Sequence, residues 1–194
     1  MNALIVVDMQ RDFLPGGALG VPEGNLIIGP ICQFGEQFEH VALTRDWHPD
    51  DHVSFSDNPK FVDGSWPAHC VQNTSGAEIH EEILEAFPDA PIFSKGWVRD
   101  TEAYSGFDGT AENGQFLHEW LDNVGAERVY VVGLALDYCV KATVLDANYY
   151  GLYTGVPLHL TRPVSYDTGM QAVADLSDDG VALCGPDHFR DRRI

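Results

Sequence analysis

The chain is predicted to fold as an α/β protein, a three-layer α/β/α sandwich around a mainly parallel central sheet. Three observations lead there. Short apolar, partly β-branched runs alternate along the chain with helical patterns. The runs are continuously apolar, as strands covered on both faces are. A length of 194 residues with 44% hydrophobic content is enough for one sizeable core, so a single domain over 1–194 is expected. Strands that alternate with helices call for parallel pairing and crossover helices on both faces of the sheet.

The elements follow in order. Ala3-Leu4-Ile5-Val6-Val7 reads as a central strand that runs into Asp8, with Asp12 and Phe13 before the turn signal Pro15-Gly16-Gly17. Residues 25–38 predict a helix with Asn25 as its N-cap and Gly29-Pro30 near its beginning. His40-Val41-Ala42-Leu43-Thr44 is a second strand. The polar, aromatic-rich segment 45–74 has little periodicity and is long for a loop, a feature that goes with function. Residues 75–87 predict a helix stopped by Pro88, and Pro91-Ile92-Phe93-Ser94 a brief third strand ending at Lys95-Gly96. A second irregular segment, 97–110, precedes an amphipathic helix over 112–124 with Phe116, Leu117, Trp120 and Leu121 on one face. Arg128-Val129-Tyr130-Val131-Val132 reads as a buried strand, and residues 141–148 as the helix after it. Further on, residues 156–160 predict a strand, with Pro157 near an edge or a strand start. Residues 167–176 predict a helix capped by Asp167, and 181–183 a last strand.

Thirty acidic residues against eleven basic ones leave a formal net charge of −19. Such a surface repels phosphate backbones and anionic lipid, which argues against nucleic-acid and membrane partners. No apolar run reaches membrane-spanning length, and the first residues lack the basic region and long apolar core of a signal peptide, so a cytoplasmic location is expected. Cys32, Cys70, Cys139 and Cys184 are scattered without a CxxC pair and are expected to be reduced thiols.

In a parallel sheet, function gathers at the carboxyl ends of the strands. Asp8, Lys95 and Cys139 fall there independently, after the first, third and fourth strands. Each alone has a plainer reading: a loop cap, a solvated strand end, a small buried hydrophobe. Together they supply a base, a cation and a thiol. The carboxylate can take the thiol proton, while the ammonium favours both anions. Cys139 also lies at a strand-to-helix turn, where amides and the helix dipole stabilise a thiolate. In the long loop, Asp46 and His48 flank Trp47, and residues i and i+2 of an extended segment face the same way. With His52 and His69 further along, these donors suit zinc, iron or manganese, and the plainer reading is histidines in a polar surface loop. Phe13 and Trp66 either bury an edge of the core or sandwich a flat ring.

The ordered stretches Val7-Asp8-Met9-Gln10-Arg11-Asp12-Phe13, Thr44-Arg45-Asp46-Trp47-His48-Pro49, Trp66-Pro67-Ala68-His69-Cys70, Lys95-Gly96, Tyr104-Ser105-Gly106-Phe107 and Gly133 through Val140 carry a resemblance. The chain resembles the nicotinamidase branch of the isochorismatase-like cysteine hydrolases. The resemblance implies hydrolysis of nicotinamide to nicotinate and ammonia through a cysteine thioester, in NAD salvage, with pyrazinamide as a second substrate. It implies a catalytic triad of Asp8, Lys95 and Cys139. Asp46, His48 and His69 would hold one divalent metal ion, zinc foremost, with iron or manganese as alternatives. His52 binds that metal directly in some relatives and only lies nearby in others. Phe13 and Trp66 match ring-sandwiching positions, Tyr104 another pocket wall. Ala135 matches the family's cis peptide, here Leu134-Ala135, with the Ala135 and Cys139 amides aimed at one oxyanion. Tyr138 carries no role from the family. A small-molecule substrate is the implied partner, and relatives range from monomers to homo-oligomers. The competing readings are another amidase of the superfamily acting on a carbamoyl or ureido compound, and a non-catalytic metal-binding or thiol-sensing protein.

Overall fold

A computed structural model describes residues 1–61 and 63–185. Strands β1 (Asn2–Val7), β2 (His40–Asp46), β3 (Ile92–Lys95), β4 (Arg128–Leu134), β5 (Tyr153–Pro157), β6 (Thr161–Arg162) and β7 (Ala182–Cys184) form one sheet. Its order is β3-β2-β1-β4-β5-β7, with the short β6 paired to the end of β4, and every pairing is parallel. The helices are α1 (Ile28–Gly35), α2 (Glu81–Ala86), α3 (Leu117–Asn123), α4 (Lys141–Tyr149) and α5 (Tyr166–Asp178).

The continuous apolar run of β1 is explained by two covered faces. Ala3, Ile5 and Val7 point into a core shared with Leu117 and Leu121 of α3, Val144 and Ala147 of α4, and Ala172 and Leu176 of α5. Leu4 and Val6 point the other way, toward Ile28, Ile31 and Phe34 of α1 and Ile83 of α2. All five β1 side chains are buried, and each large aliphatic one contributes about 1.5–3 kcal/mol by leaving water. The predicted three layers are therefore present.

Several element boundaries differ from expectation. Asn25 lies inside a 3-10 turn, Gly24–Ile27, and does not cap α1. Pro30 is the third residue of α1, where a missing N–H costs nothing. The helix expected over 75–87 forms only from Glu81, after a 3-10 turn at Ser75–Ala77. The backbone between is pulled away to the Met9–Arg11 loop, with Arg11 N–H donating to Glu78 O (3.0 Å) and His80 N–H to Met9 O (2.8 Å). The helix expected over 112–124 starts at Leu117. Phe116 is its N-cap, held by the Glu119 carboxylate (2.9 Å), and its ring is exposed, off the predicted apolar face. Pro157 ends β5 where it was expected near a strand start, and residues 158–160 form a 3-10 turn. Ser165 caps α5, accepting from Thr168 N–H (3.3 Å), while Asp167 sits in the first turn.

Candidate active site

Register brings the reactive side chains together. β1 pairs with β2 and β4, and Asp46 at the end of β2 lies beside Lys95 at the end of β3. Asp8 follows β1 with φ +48°, and a tight turn of π type, Leu136–Val140, carries Cys139 between β4 and α4. The three predicted residues thus meet across strands that are distant in the chain.

Lys95 is fully buried and stands at the centre. Its Nζ lies 2.9 Å from Asp8 Oδ2, 3.4 Å from Cys139 Sγ and 3.5 Å from Ala103 O, and it donates to Asp46 Oδ1. Thr44 Oγ1 donates to the other Asp8 oxygen at 2.6 Å. Asp8 Oδ2 sits at ion-pair distance from Lys95 but out of hydrogen-bond alignment, so that buried acceptor keeps a lone pair open. Burial raises the Asp8 carboxyl above its ordinary range; Lys95 opposes that, and Asp46 adds to it. Burial likewise works against charge on Asp46, but Lys95 and His48 hold its carboxylate low. Burial also works against the Lys95 ammonium, yet Asp46 and Asp8 hold it well above the usual lysine range.

The thiol departs from the expected behaviour. Burial pushes Cys139 well above the ordinary cysteine value; Lys95 opposes that, and Asp8 and Asp46 add to it. Burial is the largest influence, and the one ammonium beside the thiol is shared with two carboxylates. Both shifts run toward a thiol on Cys139 and a more basic carboxyl on Asp8.

Asp46, His48 and His69 each offer a ligand atom, all within 4.8 Å of one another, and all three residues are buried. His48 Nδ1 faces Gly96 O and His69 Nδ1 faces Pro67 O, both at 2.8 Å. Those carbonyls select the Nδ1–H tautomer and leave each Nε2 as a lone-pair donor toward the centre. One carboxylate and two such imidazoles fit a divalent metal ion. His52 does not join them. Its Nδ1 pairs with Ser54 Oγ (2.8 Å) and its Nε2 with Thr101 O (3.1 Å), and it packs beside His48 with ring centroids 4.3 Å apart.

A cavity of about 440 Å³, mouth included, opens over Cys139, Asp46, His48 and His69. Phe13, Trp66, Tyr104 and Ala135 all line it. Trp66 Nε1–H donates to the Tyr104 hydroxyl (3.1 Å), which sets both rings. The Leu134-Ala135 peptide bond is cis. The Ala135 carbonyl accepts from the Tyr138 and Val140 N–H groups, on either side of Cys139.

Four contributors escaped the sequence reading. Tyr138 meets the Trp66 ring edge-on at 4.9 Å and lines the pocket, and Glu102 reaches it from the second irregular segment. Thr44 anchors Asp8. Gln10, buried, accepts from Asp46 N–H (2.7 Å) and donates to Asp46 O (2.7 Å) and Ala77 O (2.9 Å). Only Gln10 carried a signal, an amide three residues past the end of a central strand.

The isochorismatase domain model matches residues 2–179. The chain is 41% identical over 186 residues to the nicotinamidase/pyrazinamidase of Mycobacterium tuberculosis, covering 94% of this chain and 98% of that one. The solved pyrazinamidase of Pyrococcus horikoshii in complex with zinc superposes with a TM-score of 0.83 at 41% identity, covering 95% of this chain and 98% of that one. PnC1 of L. infantum in complex with nicotinate gives 0.83 at 35%, covering 95% and 92%.

Proposed function

The chain belongs to the isochorismatase family, and from that premise we propose that it is a nicotinamidase, hydrolysing nicotinamide to nicotinate and ammonia, with pyrazinamide as a second substrate. The observation that carries this reading is the Asp8–Lys95–Cys139 contact set at the floor of an aromatic pocket beside a three-donor metal cluster. A flat pyridine suits a pocket lined by the Phe13 and Trp66 rings.

With the carboxamide carbon over Cys139, the open Asp8 oxygen takes the thiol proton as sulfur attacks. The Ala135 and Cys139 amides receive the developing oxyanion, about 2.7–4 kcal/mol per donor. Asp8 returns the proton to the departing ammonia, leaving a thioester. Asp8 then draws a proton from water as the hydroxyl adds to the thioester and passes it to the departing sulfur, restoring the thiol; the released acid loses its own proton to solvent and leaves as nicotinate. Lys95 stays protonated throughout and keeps the two carboxylates compatible. Asp46, His48 and His69 would hold the metal ion, zinc by analogy with the Pyrococcus structure; when bound it supplies Lewis-acid polarisation and orients the ring. A Cys139 whose burial disfavours the thiolate does not suit a thiol sensor, which needs an accessible thiolate.

Ammonia release from nicotinamide tests the proposal. Activity is expected from the parent and a loss of at least about 10³-fold in Cys139→Ala. Substantial hydrolysis by that variant rules out the thioester route.

A further inference from the structure

Among the described residues, the pocket wall holds two carboxylates, Asp46 and Glu102, and no lysine or arginine. Asp46 shares the Lys95 ammonium with Asp8 and belongs to the metal donor set. Glu102 is different. Its Oε1 accepts from the Ala103 N–H (3.1 Å), and among the described residues it enters no ion pair. Arg99, three residues away, is turned toward Asp51 and Asp100. Glu102 lines the pocket itself, together with His69 and Tyr104, the two wall residues on which its charge acts.

This placement matters because of what the reaction does to charge. Hydrolysis converts a neutral carboxamide into a carboxylate in the same pocket. Phe13, Leu19, Val21 and Val164 wall that pocket with apolar surface, which lets a fixed charge act across it with less screening than in water. We propose that Glu102 is a specificity-determining residue that disfavours pyridine carboxylates, so that the anionic product is expelled and the neutral amide is retained. The inference rests on the nicotinamidase reading for its substrate. The plainer role for Glu102 is to brace its own loop through Ala103. Glu102→Gln separates the two, since glutamine keeps the acceptor oxygen and loses only the charge.

The experiment measures nicotinamide KM and nicotinate KI in the metal-loaded parent and Glu102→Gln proteins, with 3-acetylpyridine as a neutral competitor. Two like charges several Å apart across a part-solvated pocket are worth about five- to tenfold in affinity. Nicotinate KI is expected to fall by that factor relative to both KM and the 3-acetylpyridine KI, and raising the salt concentration is expected to narrow the gap. A nicotinate-to-amide ratio that stays the same in the variant overturns the assignment, as does a parallel change in all three constants, the mark of a reshaped pocket. If the parent does not hydrolyse nicotinamide, the functional reading fails by itself. Glu102 is then judged by equilibrium binding of nicotinate against 3-acetylpyridine, followed by tryptophan fluorescence, with the same expected ratio.

Discussion

Replacing Gln10 with leucine, close in volume and apolar, tests whether the end of β2 is held by a side chain standing in for a strand. β1 stops pairing with β2 before Asp46, and the Gln10 amide takes over, giving Asp46 both a donor and an acceptor at 2.7 Å and Ala77 a donor at 2.9 Å. Gln10→Leu leaves three backbone groups without these partners in a site closed to water. Each buried group so orphaned costs about 1–3 kcal/mol, and partial relaxation brings the sum to roughly 3–5 kcal/mol. For a chain of this length that corresponds to a fall in Tm of about 6–20 °C. Urea unfolding followed by circular dichroism reads the first quantity and calorimetry the second. Metal titration against a chromophoric chelator adds a second readout, because a loosened Asp46 binds more weakly. A variant within about 1 kcal/mol of the parent and with unchanged metal affinity would refute the reasoning.

Lys95→Met removes the single cation between Asp8 and Asp46 and leaves two buried carboxylates facing each other. A destabilisation of about 3–5 kcal/mol by chemical unfolding, together with loss of amide hydrolysis, is expected. Thorough chelation is expected to lower Tm, and a divalent ion at about 100 times its Kd to restore about 2.7 kcal/mol of stability; His69→Ala should abolish that recovery in a thermal-shift titration. Ser165→Ala removes the α5 cap away from the reacting groups, so a loss of about 1 kcal/mol with kcat/KM near the parent value is expected from parallel unfolding and activity measurements.

Much of the molecule was legible because its signals are local. Strands β1, β2, β3 and β4 announce themselves as apolar runs, and the residue ending each run falls at the functional edge of a parallel sheet whatever the exact register. Asp8, Lys95 and Cys139 were therefore found by position. Asp46, His48, His52 and His69 stood out by donor type within one loop, and the resemblance chose Asp46, His48 and His69 among them. Helix starts were misplaced where the deciding partner is remote, as at residues 78–80, whose backbone bonds run to the Met9–Arg11 loop. His52 was placed beside the metal donors by composition, but its nitrogens are engaged by Ser54 and by Thr101, which lies far along the chain.

The sequence by itself determined the layered sheet, the set of groups at its carboxyl edge and the family to which their order points, since these follow from periodicity and from which residue ends each run. The tertiary structure alone decided their electrostatic state. Whether Cys139 rests as thiol or thiolate depends on burial and on how Asp8 and Asp46 share one ammonium. The same holds for the Gln10 clamp, the Tyr138 wall and the unpaired charge of Glu102. Coulomb and desolvation energies are set by distance and solvent access, and across 36 or 44 residues of chain separation, as for Gln10 with Asp46 and Lys95 with Cys139, only folding sets those.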